Sequence, residues 1–171
     1  MSYVQQNDLE KLNFLSKHFP FLILYYGHNV KHEKKIHQID TYFNVPEGRL
    51  KLREEGLDFA SLIFYHRSDM AESCYSDYHI CQIQDLDSFK LILSNALGTK
   101  VIVEKTRDLW YFGNTRVHLD HVSGLGDFIE LETVLRNQTE ASAWLEHDHV
   151  KDTLKIVEET LVPVSYSDLL V

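Results

Sequence analysis

Cations recur at every second position in a chain dominated by acid. In Arg49-Leu50-Lys51-Leu52-Arg53 each basic residue is separated from the next by a leucine. Side chains on an extended strand alternate faces, so Arg49, Lys51 and Arg53 share one face and Leu50 and Leu52 the other. The same rule places Lys105 with Arg107. It places Arg116, His118 and Asp120 together against Val117 and Leu119, and Glu130 with Glu132 against Ile129 and Leu131. Two arrangements give this pattern. In one, the apolar faces form a core and the charged faces meet water. In the other, the apolar faces pack outward against helices and the charged faces line a barrel, which at roughly eight strands encloses one small ligand. Converging Lys and Arg repel one another unless an anion sits among them, and a guanidinium meets phosphate oxygens as a two-pronged fork. Asp120, Glu130 and Glu132 are hard oxygen donors of the kind that hold Mg²⁺ or Mn²⁺ against phosphate. Spacing alone equally allows Glu130 and Glu132 to neutralise neighbouring arginines.

The whole chain narrows the choice of chemistry. It has 171 residues, 17 Lys and Arg, 26 Asp and Glu, and a formal net charge of −9. That charge argues against a general binder of nucleic acid or of an anionic membrane. No apolar run approaches the ~20 residues of a membrane span. The N-terminal stretch lacks the basic and apolar regions of a signal peptide. Cys74 and Cys81, with no export signal, read as reduced thiols in a cytoplasm. The histidines give no zinc geometry. His147 and His149 are two apart on an expected helix, and His118 and His121 lie on opposite sides of an expected strand. His118 either lines the barrel and donates to a phosphate or is a surface or structural histidine. Tyr42, Tyr78 and Tyr111 suit either packing or stacking on a base or thiamine ring.

The elements that would position these groups are short. Helices are expected over 8–18, over 86–97 with Asp85 before it and Gly98 behind, and over 139–161 with Thr139 as cap. Strands are expected over 19–26, 36–43, 49–54, 60–66, 78–83, 100–107, 109–113, 116–122 and 128–135, with a turn at Gly113-Asn114 and another through Gly124 and Gly126. Short spacing favours antiparallel pairing, and closure would remove exposed edges. The expected fold is therefore α+β: one domain over 1–171, an antiparallel closed β-barrel with flanking helices.

Several segments resemble the CYTH family, also called the triphosphate tunnel metalloenzymes, and most closely its class IV adenylate cyclase branch, with thiamine triphosphatases as relatives. They are IDTYFNVPEGRLKLREEG (39–56), SDYHI (76–80), VIVEKTRDLWYFGNTRVHLDHVSGLGDFIELETVL (101–135) and YSDLL (166–170). The resemblance implies a tunnel, a divalent metal (Mg²⁺ or Mn²⁺), and a nucleoside triphosphate, thiamine triphosphate or inorganic polyphosphate as substrate. It makes Arg49, Lys51, Arg53, Lys105, Arg107 and Arg116 phosphate-binding residues. Among them Arg53, Lys105, Arg107 and Arg116, together with Asp120, become the catalytic set, and Asp120, Glu130 and Glu132 the metal site. The implied chemistry is cyclisation of ATP to cyclic AMP and pyrophosphate, or hydrolysis of a triphosphate. Homodimers are compatible with it. One departure stands out. The family's N-terminal Glu-x-Glu-x-Lys is absent, because Met1 to Gln6 contain no Glu and no Lys. The first strand is then missing, degenerate or lost through a late start site, which leaves a catalytically impaired polyphosphate- or nucleotide-binding protein as the alternative.

Overall fold

The computed structural model describes residues 2–5, 30–56, 59–66, 77–135, 137–156, 161–162 and 164–171. The helix expected over 8–18, the strand over 19–26 and the loop carrying Cys74 lie outside them. The elements are β1 (Ser2–Gln5), β2 (Val30–Phe43), β3 (Arg49–Glu55), β4 (Phe59–His66), β5 (Asp77–Ile83), α1 (Leu86–Leu97), β6 (Thr99–Phe112), β7 (Thr115–Val122), β8 (Gly126–Thr133), α2 (Glu140–Thr153), β9 (Leu161–Val162) and α3 (Tyr166–Leu169). They form one nine-stranded sheet in the order β5-β4-β3-β2-β6-β7-β8-β1-β9. Every pairing is antiparallel.

The expected closed barrel is corrected to an open sheet. Among the described residues no ladder joins β5 to β9, so the sheet keeps two edges. Closure needs a run of backbone donors and acceptors on each edge. The far edge offers only the two residues of β9 beside the four of β1. The two segments expected over 100–107 and 109–113 are one strand, because β6 pairs with β2 along nearly its full length across two register shifts. The third expected helix ends at Thr153 rather than residue 161. A first strand is present: β1 pairs with β8, and position 3 stands opposite Glu130.

The apolar side chains explain which face points where. Val117, Ile129 and Leu131 project from one face of β7 and β8 and pack with Phe112 against Val150 and Leu154 at the end of α2. Leu52, Ala60, Phe43 and Ile83 project from the same side of the other half and pack under Leu86, Leu93 and Leu97 of α1. Fully burying one such side chain stabilises the fold by about 1.5–3 kcal/mol, so the helices hold the apolar face outward. Glu146 fastens α2 to the β6–β7 turn, accepting from the Asn114 N–H at 2.6 Å and from the Thr115 hydroxyl at 3.0 Å. Gly113 makes room for it: at φ 61° a Cβ there would lie 3.0 Å from the carboxylate. A third cluster, Tyr42, Val103, Val122, Phe128 and Tyr166, sits on the opposite face and fills one end of it. The charged side chains share the rest with Ile63, Tyr65, Leu109 and Tyr111. Among the described residues no helix is long and apolar enough to cross a membrane.

Candidate polyanion site

Register explains the first charge cluster. Asp40 on β2 pairs across to Arg53 on β3, and Tyr42 pairs to Lys51, so alternate residues of both strands converge. Asp40 is 1% exposed. It accepts from Arg53 Nε and Nη2, each at 2.7 Å, and from Lys51 Nζ at 3.0 Å. Lys105 Nζ on β6 stands 3.9 Å away. Burial would raise the pKa of Asp40, but the Arg53 and Lys51 charges outweigh it and hold the carboxyl well below the usual range. The lysines are lowered too, which for them favours the neutral form. Burial, then the charge of Arg53, pushes Lys51 down to about 7. Burial, then Arg107, pushes Lys105 down to about 8. Three cations share one carboxylate here, so each lysine proton is held weakly. Aromatic faces take up part of the charge: Lys51 lies 5.4 Å from the Tyr42 ring centre and Lys105 5.2 Å from that of Tyr166.

The second cluster is built round Arg107. Its Nε donates to Asp120 Oδ1 at 2.7 Å and its Nη2 to Asp120 Oδ2 at 2.6 Å. Nη2 also donates to Glu130 Oε2. Tyr166 donates its hydroxyl to Asp120 Oδ2 at 3.1 Å. Burial opposes ionisation of Asp120 and Glu130, yet Arg107 keeps both below their usual range. Lys105 joins the two clusters, 3.8 Å from Asp120. His118 is buried with its Nδ1 3.4 Å from Glu130 and no hydrogen bond to that nitrogen. Burial, then Arg107, lowers its affinity for a proton. Further out, Arg116 donates to Glu132 at 3.0 Å.

These groups surround a cavity of about 420 Å³. Lys51, Arg53, Lys105, Arg107, Arg116, Glu130 and Glu132 all line it, and Asp120 stands behind Arg107. Arg49 does not join them. It shares their face of β3 but donates to Asp168 of α3 at 2.7 Å, beside Lys100, and lines a separate space of about 190 Å³. Sequence reasoning missed Asp40, Gln38 and Tyr166. The alternation Gln38-x-Asp40-x-Tyr42 was the available signal, since it puts a carboxylate on the same face as a strand's aromatic residue.

The expected metal set does not fit a divalent ion. Both oxygens of Asp120 accept from Arg107, Glu130 accepts from the same guanidinium, and Glu132 is bound to Arg116. Among the described residues no three His, Cys, Asp or Glu converge as ligands. A cation drawing on Asp120 would have to displace Arg107 from both of its oxygens.

The CYTH domain model matches residues 21–166. The chain belongs to the CYTH domain family. Solved structures agree in fold. A conserved hypothetical protein from Pyrococcus furiosus matches with a TM-score of 0.79 at 20% identity, over 99% of this chain and 98% of that one. A candidate adenylate cyclase from Vibrio parahaemolyticus matches at 0.70 and 17% identity, over 98% and 94%. Another from Bacillus halodurans matches at 0.64 and 15%, over 96% and 91%. No curated protein matches the sequence. In this CYTH chain the position facing Glu130 on the first strand is Tyr3. Residues 2–5 thus form a strand beside β8 whose sequence, Ser-Tyr-Val-Gln, contains no carboxylate.

Proposed function

We propose that the cavity binds the triphosphate group of a small molecule, with Lys51, Arg53 and Lys105 as its principal contacts. The observation that carries this reading is the convergence of Lys51, Arg53 and Lys105 on Asp40, with Lys105 shared with Asp120, beside a cavity that could admit an anion. A polyanion would supply the missing negative charge. Arg107 and Arg116 extend the wall, with Asp120 and Glu130 orienting Arg107 rather than accepting protons, since a carboxylate locked to a guanidinium is a weak base. If the bound triphosphate reacts, cyclisation at the α-phosphate or hydrolysis at the terminal one would draw on the same wall to offset developing charge.

A second reading, a binder that turns nothing over, is favoured by a specific observation: the described carboxylates are already engaged by arginine. One experiment separates the outcomes. Tripolyphosphate, ATP and thiamine triphosphate are titrated calorimetrically with and without Mg²⁺, and products are then analysed. Binding is expected for at least one of them. Cyclic AMP selects the cyclase, released phosphate the hydrolase, and binding without product the impaired protein. No heat and no thermal stabilisation with any of the three would end the proposal.

A further inference from the structure

Gln38 is 2% exposed and lines the cavity one inward position along β2 from Asp40. Its Nε2 donates to Glu55 Oε1 at 2.6 Å, while its Oε1 is buried without a partner. The contact with Glu55 fixes the amide. An ionised carboxylate only accepts, so the NH₂ group must face Glu55 and the carbonyl oxygen must face away from it. This unmet acceptor lies one inward position from Asp40 on β2, on a residue paired with Lys105 on one side and Glu55 on the other. Glu33 and Lys34 line the cavity further along β2, toward that strand's exposed end.

A phosphate chain cannot satisfy this position, because phosphate oxygens are almost wholly acceptors near neutral pH and the nearby carboxylates repel them. That oxygen is already unpaired in the free protein, so a ligand that donates to it gains a hydrogen bond that an all-acceptor ligand cannot make, about ten-fold in affinity. We propose that Gln38 is a specificity residue: its side-chain carbonyl receives an O–H or N–H donor from the organic part of a triphosphate ester, so the cavity favours such esters over inorganic triphosphate. This rests on the reading of the cavity as a triphosphate site. The phosphates lie among Lys51, Arg53 and Lys105, and the organic part points past Gln38 toward Glu33 and Lys34.

The test compares ratios, so that differences in ligand charge cancel. Dissociation constants for tripolyphosphate, ATP and thiamine triphosphate are measured by calorimetry on the full chain and on Gln38→Met. The tripolyphosphate constant is expected to stay within about three-fold, since no phosphate contact is lost. The preference for at least one ester over tripolyphosphate is expected to fall about ten-fold. Unchanged ratios for both esters overturn the proposal while leaving the triphosphate reading intact. Failure of the unaltered protein to bind any of the three overturns both. If Gln38→Met loses tripolyphosphate as well, Glu55→Gln, which frees the amide to rotate without touching the cation cluster, is judged by the same ratio.

Discussion

The two charge clusters use the same parts in opposite proportions. Round Asp40, one carboxylate serves Lys51, Arg53 and Lys105. Round Arg107, one guanidinium serves Asp120 and Glu130. The first is short of negative charge and the second is saturated with it. A buried ion pair offsets its desolvation only when its partners are complete. On the proposed reading the Asp40 cluster takes the anion, while Asp120 and Glu130 hold Arg107 in the cavity wall. The count of charges lining a cavity says less than how they are partnered.

The contrast can be broken most severely at its two hubs. Asp40→Asn leaves Lys51 and Arg53 without their carboxylate and Lys105 with Asp120 alone, and Arg107→Met leaves two buried carboxylates. Each is expected to cost about 3–5 kcal/mol in urea unfolding. Added tripolyphosphate should restore much of the loss in Asp40→Asn and little in Arg107→Met. Equal recovery in both would erase the distinction. Next in size, Lys51→Met and Lys105→Met should each weaken tripolyphosphate binding by about ten- to one-hundred-fold, because a charge-assisted hydrogen bond is lost. Arg116→Met, half-buried and already bound to Glu132, should change it by no more than about three-fold.

Proton linkage sharpens the same comparison. In the free protein the lysine values sit near 7 and 8, below the ordinary lysine value. The unfolded chain therefore holds more protons between about pH 7 and 10, and these two groups make the free protein more stable as pH rises through that window. Anion binding requires the protonated forms, so tripolyphosphate affinity should run the other way, falling at least about ten-fold from pH 6.5 to 9 with proton uptake measurable in buffers of different ionisation heat. A flat profile would mean that Lys51 and Lys105 do not face the ligand. The smallest effect concerns metal: excess EDTA should leave tripolyphosphate affinity within about three-fold, because the carboxylates that would recruit an ion are held by arginine.

Much of the site was legible in the sequence because strand alternation is a strict rule. Lys51, Arg53, Lys105, Arg107, Arg116, Glu130 and Glu132 reach one cavity because each lies at the right parity on its strand. Parity does not say how far along a strand a residue sits, so it could not separate Arg49, at the start of β3, from its neighbours. Nor does it reveal partners from distant segments. Tyr166 reaches Asp120 across 46 positions, and Arg49 reaches Asp168 across 119. The open sheet was hidden for a similar reason, since edge pairing depends on the length of the last strands rather than on any residue pattern. Asp40 shares a face with Gln38 and Tyr42, but that alternation does not show that its partners would be Lys51 and Arg53 of the next strand.

Tyr42 and Tyr166 belong at once to the apolar cluster with Val103, Val122 and Phe128 and to the cavity lining, where their rings lie against Lys51 and Lys105. A substitution that loosens this packing therefore shifts the two ammonium groups as well, so the hydrophobic and ionic parts of this face cannot vary independently.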